Sequence, residues 1–151
     1  MFRTSTLTRS LLAVALIGVT ACGGDDDDEG PLDPADATLL TSGTEVTALA
    51  GAEGSRRLYK IVVPAGQALL TITTELGEGD VDLYVRHGAV PTTGGSNCIS
   101  NDIDNDEFCE ETNPVAGDWY ILLLGWEDYS GVTLTATYTP PDDVIPPTAG
   151  K

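Results

Sequence analysis

Oxygen-rich side chains dominate what this chain offers for chemistry. Asp80 and Asp82 sit two residues apart after Gly79, and Asp102, Asp104 and Asp106 repeat that spacing before Glu107, Glu110 and Glu111. Residues two apart on an extended strand share a face, so Asp80, Asp82 and Tyr84 point the same way. Two carboxylates on one face near a glycine-rich turn could ligate a hard cation, or accept hydrogen bonds from turn amides. The second run packs six carboxylates between residues 102 and 111. Its opening Asp triplet matches the start of an EF-hand loop. Glu107 then stands where glycine must make the turn, and Asn113 where a bidentate glutamate must close the shell. An EF-hand is excluded. Two readings stay open: a different calcium site drawing on Asp80, Asp82, Asp102, Asp104 and Asp106, or a solvated acidic loop.

Other chemistries find less support. His87 is the single histidine, so any Ser–His–Asp relay would pass through it. Ser96, Ser100 and Ser130 lie in no nucleophile-elbow sequence. Glycosidase chemistry needs two carboxylates, but among 24 acidic residues nothing singles out one pair. There is no phosphate-cradling glycine loop and no dinucleotide fingerprint. Catalysis is therefore not expected. Trp126 and Tyr129, with Asp128 between them, fall in a turn. Aromatic rings on a loop can stack on a sugar or grip a peptide, or simply cap a core.

Where the chain works is written at its start. Arg3 and Arg9 precede a nine-residue apolar run, Leu11–Val19, and small residues lead to Cys22. A charged start, short apolar middle and small-residue exit describe an export signal, far short of the ~20 residues a membrane-spanning helix needs. The cysteine directly after Val19-Thr20-Ala21 resembles a bacterial lipoprotein signal. That resemblance implies removal of residues 1–21 and acylation of Cys22, which would tie the chain to a membrane of the cell envelope, outside the cytoplasm. All 24 acidic residues follow Cys22, against five remaining basic ones, a formal charge of −19. Nucleic acid is thereby excluded as a partner, because phosphate binding needs clustered Lys and Arg. Cys98 and Cys109 remain, and in an oxidising compartment they are expected to form a disulfide. A Cys–Cys–His zinc set is poorly supported by two cysteines and one distant histidine.

These residues must be carried by strands. Tyr59, Ile61 and Val63 fall on one face, as do Leu70, Ile72 and Leu76. Val81, Leu83 and Val85 alternate with Asp82, Tyr84 and Arg86, and Val132, Leu134, Ala136 and Tyr138 alternate with threonines. Period-two alternation predicts half-buried strands, and the unbroken apolar run Trp119–Leu124 predicts a central strand covered on both faces. Gly and Pro punctuate the boundaries. The expected organisation is an acidic tether over residues 22–35, an all-β domain over 36–139 and a proline-rich tail over 140–151. Pro140 should end the last strand near Thr139.

Several segments, in order, resemble the bacterial pre-peptidase C-terminal domain. They are Tyr59-Lys60-Ile61-Val62-Val63-Pro64-Ala65-Gly66, Gly79-Asp80-Val81-Asp82-Leu83-Tyr84-Val85-Arg86, Cys98 with Glu107-Phe108-Cys109, Pro114-Val115-Ala116-Gly117-Asp118-Trp119-Tyr120, and Tyr129-Ser130-Gly131-Val132. The resemblance implies a jelly-roll-like β-sandwich of about eight strands, an accessory module of secreted hydrolases, and calcium binding in collagen-binding members. The expected function is a lipid-anchored, non-catalytic binding module whose partner is an extracellular protein or polysaccharide. A structural envelope lipoprotein without a specific ligand is the alternative, and an accessory to a secreted hydrolase the third reading.

Overall fold

The computed structural model describes residues 30–141. The export segment, Cys22, most of the acidic tether and most of the proline-rich tail lie outside these described residues. A short 3-10 turn, Pro34–Asp36, is capped by the Asp33 carboxylate, which accepts the Ala35 N–H at 2.8 Å. Nine strands follow: β1 (Thr38–Leu39), β2 (Val46–Gly51), β3 (Arg56–Val63), β4 (Leu69–Glu75), β5 (Val81–His87), β6 (Cys98–Ser100), β7 (Glu107–Thr112), β8 (Gly117–Gly125) and β9 (Tyr129–Thr139). They form a five-stranded sheet in the order β1-β3-β8-β5-β6 and a four-stranded sheet in the order β2-β9-β4-β7. All neighbours are antiparallel except β1 and β3, which run parallel.

The expected all-β sandwich is what the chain forms. Alternate residues of each sheet meet in one core: Tyr59, Ile61 and Val63 from β3, Leu83 and Val85 from β5, and Trp119, Ile121 and Leu123 from β8 face Leu70, Ile72, Leu134 and Ala136. Burying such side chains contributes roughly 1.5–3 kcal/mol each against the entropy of ordering the chain. β8 lies at the centre of its sheet and is buried from Trp119 through Leu123, as its unbroken apolar run requires. β9 ends at Thr139, where Pro140 can donate no ladder bond.

Three local features depart from the alternation. Leu76 lies beyond the end of β4, with φ at 66° and its side chain exposed, so it leaves the apolar face shared by Leu70 and Ile72. Tyr129 is not in a turn but opens β9, and it is 3% exposed within the core. β5 is buried on both faces from Val81 to Val85, because on its outer side Tyr84 joins Leu58, Tyr120 and Leu122 in a sheltered strip.

The Cys98–Cys109 disulfide joins β6 to β7. These are the edge strands of the two different sheets, and no ladder connects them. The bond therefore clips one open side of the sandwich.

Candidate functional site

Strand register decides which loops meet. Arg56 at the start of β3 pairs with Leu124, Val81 at the start of β5 pairs with Gly125, and Ser100 at the end of β6 pairs with Leu83. In the other sheet, Gly51 pairs with Tyr129 and Glu107 with Thr74. The loops 52–55, 76–80, 101–106 and 126–128 consequently crowd one pole of the sandwich. This brings Asp80 and Asp82 into the same neighbourhood as Asp102, Asp104 and Asp106, which the linear sequence separates by about twenty residues.

Backbone contacts hold the pole together. The Asp80 carbonyl accepts the N–H groups of Trp126 (3.0 Å) and Glu127 (3.2 Å). Asp128 Oδ1 accepts the Glu53 N–H at 2.8 Å, Gly54 donates to the Gly125 carbonyl at 2.8 Å, and Gly125 returns a bond to Ser55 at 2.9 Å. Gly79 makes this closeness possible. Its φ is 96°, and a Cβ there would run into the Asp128 carbonyl oxygen.

The carboxylates fall into two groups. Asp80, Asp82 and Glu107 are buried, whereas Asp102, Asp104 and Asp106 are exposed. Asp82 accepts the Tyr84 hydroxyl at 3.0 Å, and burial, reinforced by this bond, pushes the Tyr84 phenol up to about 12. Glu107 accepts from the Ser100 hydroxyl and from the Asp102 N–H at 2.9 Å. Burial raises the pKa of Asp80, Asp82 and Glu107. For Asp80 the charges of Asp82, Glu127 and Asp104 push further in the same direction.

The pole also holds unsatisfied acceptors. Asp80 Oδ1 and Asn105 Oδ1 are buried without a hydrogen-bond partner. Buried acceptor oxygens of this kind suit a hard cation, which takes carboxylate, amide and backbone oxygens together. Among the described residues no three His, Cys, Asp or Glu side chains are grouped to hold a metal by themselves. A cation at Asp80 and Asp82 would therefore need Asn105, backbone carbonyls or water to complete its shell. The Asp104 carboxylate has a local use, its Oδ1 accepting the Asp106 backbone N–H at 2.9 Å within the loop.

The raised carboxyls set a pH dependence. A carboxyl whose folded pKa is raised contributes stability present below its unfolded pKa and lost as pH climbs through the folded value. In chelator, the melting temperature should therefore fall as pH rises beyond the ordinary carboxyl range near about 4. Asp80→Asn should flatten that fall and raise the melting temperature at neutral pH. A variant that melts with the wild-type pH profile would contradict this account.

Beside the carboxylates lies a cleft of about 390 Å³ lined by Glu53, Gly54, Leu124, Gly125, Trp126 and Glu127. The Trp126 indole is 64% exposed. Tyr129, the other aromatic residue proposed for contact, is packed inside and offers no stacking face. Its position is explained by register, since it pairs with Gly51, whose missing side chain leaves room for the phenol ring. His87 is at the opposite pole. Its ring tilts against Trp119 at 5.1 Å and its Nε2 lies 3.2 Å from the Ala116 carbonyl, which makes it a packing residue remote from the carboxylates. Sequence reasoning missed Glu53 and Glu127, which stand in no motif, and gave no role to Asn105 inside the acidic run. Only the meeting of four loops reveals them.

Fold and pole together define a disulfide-clipped β-sandwich that gathers carboxylates and one exposed indole at a single end. Residues 55–125 match the family model of the bacterial pre-peptidase C-terminal domain, and the chain belongs to that family. It is 38% identical over 117 residues to alkaline serine exoprotease A of Vibrio alginolyticus, covering 78% of this chain and 21% of the relative. It is 46% identical over 99 residues to an extracellular protease of Xanthomonas campestris, covering 66% and 17%. The chain thus spans about a fifth of the length of these curated relatives. Among solved structures, the solution structure of vEP C-ter 100 superposes with a TM-score of 0.55 at 30% identity, covering 68% of this chain and all of that one. The pre-peptidase C-terminal domain of a Bacillus anthracis collagenase shares the fold, with a TM-score of 0.54 at 14% identity over 71% of this chain and all of that one.

Proposed function

We propose that this chain is a non-catalytic binding module, held outside the cytoplasm by a lipid on Cys22, which contacts an extracellular protein or polysaccharide through the Trp126 pole. The observation that carries the reading is Trp126 itself. A large indole left 64% exposed, on a loop fixed by two hydrogen bonds to Asp80, gains little for folding in that position. A rigid exposed aromatic beside a cleft supplies contact area at little entropic cost. The export-type N-terminus and the likeness to a relative named as an extracellular protease support the location. That the matched relatives are proteases also favours a second reading, in which the module assists a secreted hydrolase.

Trp126→Ala should lose at least tenfold in retention on collagen or polysaccharide resin, with the melting temperature changed by less than about 2 °C. Retention of wild type and variant alike, or of neither, would remove the support for this reading. Labelling with a radioactive fatty acid in a bacterial host should mark the wild type and not Cys22→Ser.

In this reading calcium also binds at Asp80 and Asp82, with Asn105 as a neutral oxygen donor. A cation that binds only the folded chain stabilises it by mass action, about 2.7 kcal/mol at one hundred times its Kd. Millimolar calcium should therefore raise the melting temperature at neutral pH, and Asp80→Asn should abolish that rise. An unchanged melting temperature across that range would exclude the site.

A further inference from the structure

The cleft beside Trp126 is built for a positive charge. Two of its six lining residues, Glu53 and Glu127, are exposed carboxylates, and its lining contains no basic side chain. Neither carboxylate enters an ion pair among the described residues. Trp126 lies next to Glu127 in the chain, and its ring carries a quadrupole whose face attracts cations. The backbone that carries these side chains is held in place. The Glu53 backbone is fixed by Asp128, the Trp126 and Glu127 backbones by the Asp80 carbonyl, and the cleft floor by the paired bonds of Gly54 and Gly125. Walls fixed in advance lose little freedom on binding. The surrounding pole adds Asp104, while Arg56, opposite Leu124 at the start of β3, turns its guanidinium to the Gly30 carbonyl.

We propose that the cleft takes the side chain of a lysine or arginine presented by a partner polypeptide, the cation lying over the Trp126 ring between the Glu53 and Glu127 carboxylates. This rests on the binding-module reading and narrows it: the partner is a protein with an exposed basic residue, rather than a neutral or anionic polysaccharide. The cleft volume suits one long side chain, with the four-carbon stem of lysine or the planar head of arginine against the indole. The formal charge of the chain alone would attract basic segments anywhere on its surface, so the test must separate cleft from field.

The probes are capped pentapeptides, acetyl-Gly-Gly-Xaa-Gly-Gly-amide, with Xaa as Lys, Arg, Gln or Glu, titrated in 150 mM salt to screen the long-range field. Tryptophan fluorescence and amide chemical shifts report binding. The Lys and Arg peptides should bind at least tenfold more tightly than the Gln peptide, with shifts confined to residues 53–55 and 124–128. Trp126→Ala, which leaves the charge unchanged, should cost at least fivefold. Glu53→Gln with Glu127→Gln should cost at least tenfold, whereas Glu110→Gln with Glu111→Gln, the same charge change on β7, should cost less than twofold. Equal binding of Lys and Gln peptides, or equal losses from the two double variants, would overturn the proposal. If Trp126-dependent retention on collagen or polysaccharide resin persists alongside either result, the module reading stands and the cationic ligand falls. If that retention is also absent, both fall.

Discussion

Trp119→Ala should destabilise the domain by about 3–5 kcal/mol, the range for removing a fully buried indole. Trp119 is 1% exposed at the inner face of β8. Its ring packs against His87 and its N–H donates to the Val115 carbonyl at 2.8 Å, which fixes the β7–β8 loop. Removing the ring empties the end of the core opposite the acidic pole. Against a total stability of roughly 5–15 kcal/mol, that loss leaves the fold marginal at physiological temperature. Urea unfolding read by far-UV circular dichroism measures it directly. Trp119→Phe should recover most of the packing and forfeit about 1 kcal/mol for the hydrogen bond. A Trp119→Ala domain as stable as wild type would mean that the two sheets do not close over this ring. The contrast with Trp126→Ala is instructive, because the chain has only two tryptophans and they have opposite roles.

Replacing Cys98 and Cys109 together with serine should lower stability by about 3 kcal/mol in the chain-entropy model. For a domain of this size that corresponds to a fall of roughly 10–20 °C in melting temperature. The bond closes a short loop, with a sequence separation of 11, yet it joins the edges of two sheets that share no backbone ladder at that side. Reduction in dithiothreitol should reproduce the loss in the wild type and leave the serine variant untouched. The acidic loop 101–106 lies inside the closed segment, so hydrogen exchange there should quicken in the reduced protein more than at β8. Melting that is indifferent to reductant would show that the strand ladders alone hold this edge.

Much of the fold was legible in the residues themselves. Alternation at Tyr59-Ile61-Val63 and at Val132-Leu134-Ala136 marks strands because a pleated chain turns every second side chain to the same layer, whatever lies across from it. The unbroken run at Trp119–Leu124 announced a strand sheltered on both sides, and β8 is that strand. The paired cysteines needed only an oxidising compartment. Other residues could not be read this way. Tyr84 looked solvent-facing by alternation and is buried, because Leu58, Tyr120 and Leu122 arrive on that face from two other strands. Tyr129 looked like a turn residue and lies in the core, because its partner across the ladder is Gly51. Asp80 and Asp104 belong to one electrostatic neighbourhood only because β6 ends, and β7 begins, at the pole where β5 starts.

The sequence alone determined that the chain makes strands, located β3, β4, β5, β8 and β9 to within a few residues, and showed which cysteines can pair. Those properties depend on side-chain period and on local backbone chemistry, and both are written in neighbouring residues. Only the tertiary structure decided which loops share an end, which carboxylates lose their water and which tryptophan keeps its face open. Those properties depend on the order of strands across two sheets, and that order is set by contacts between residues dozens of positions apart.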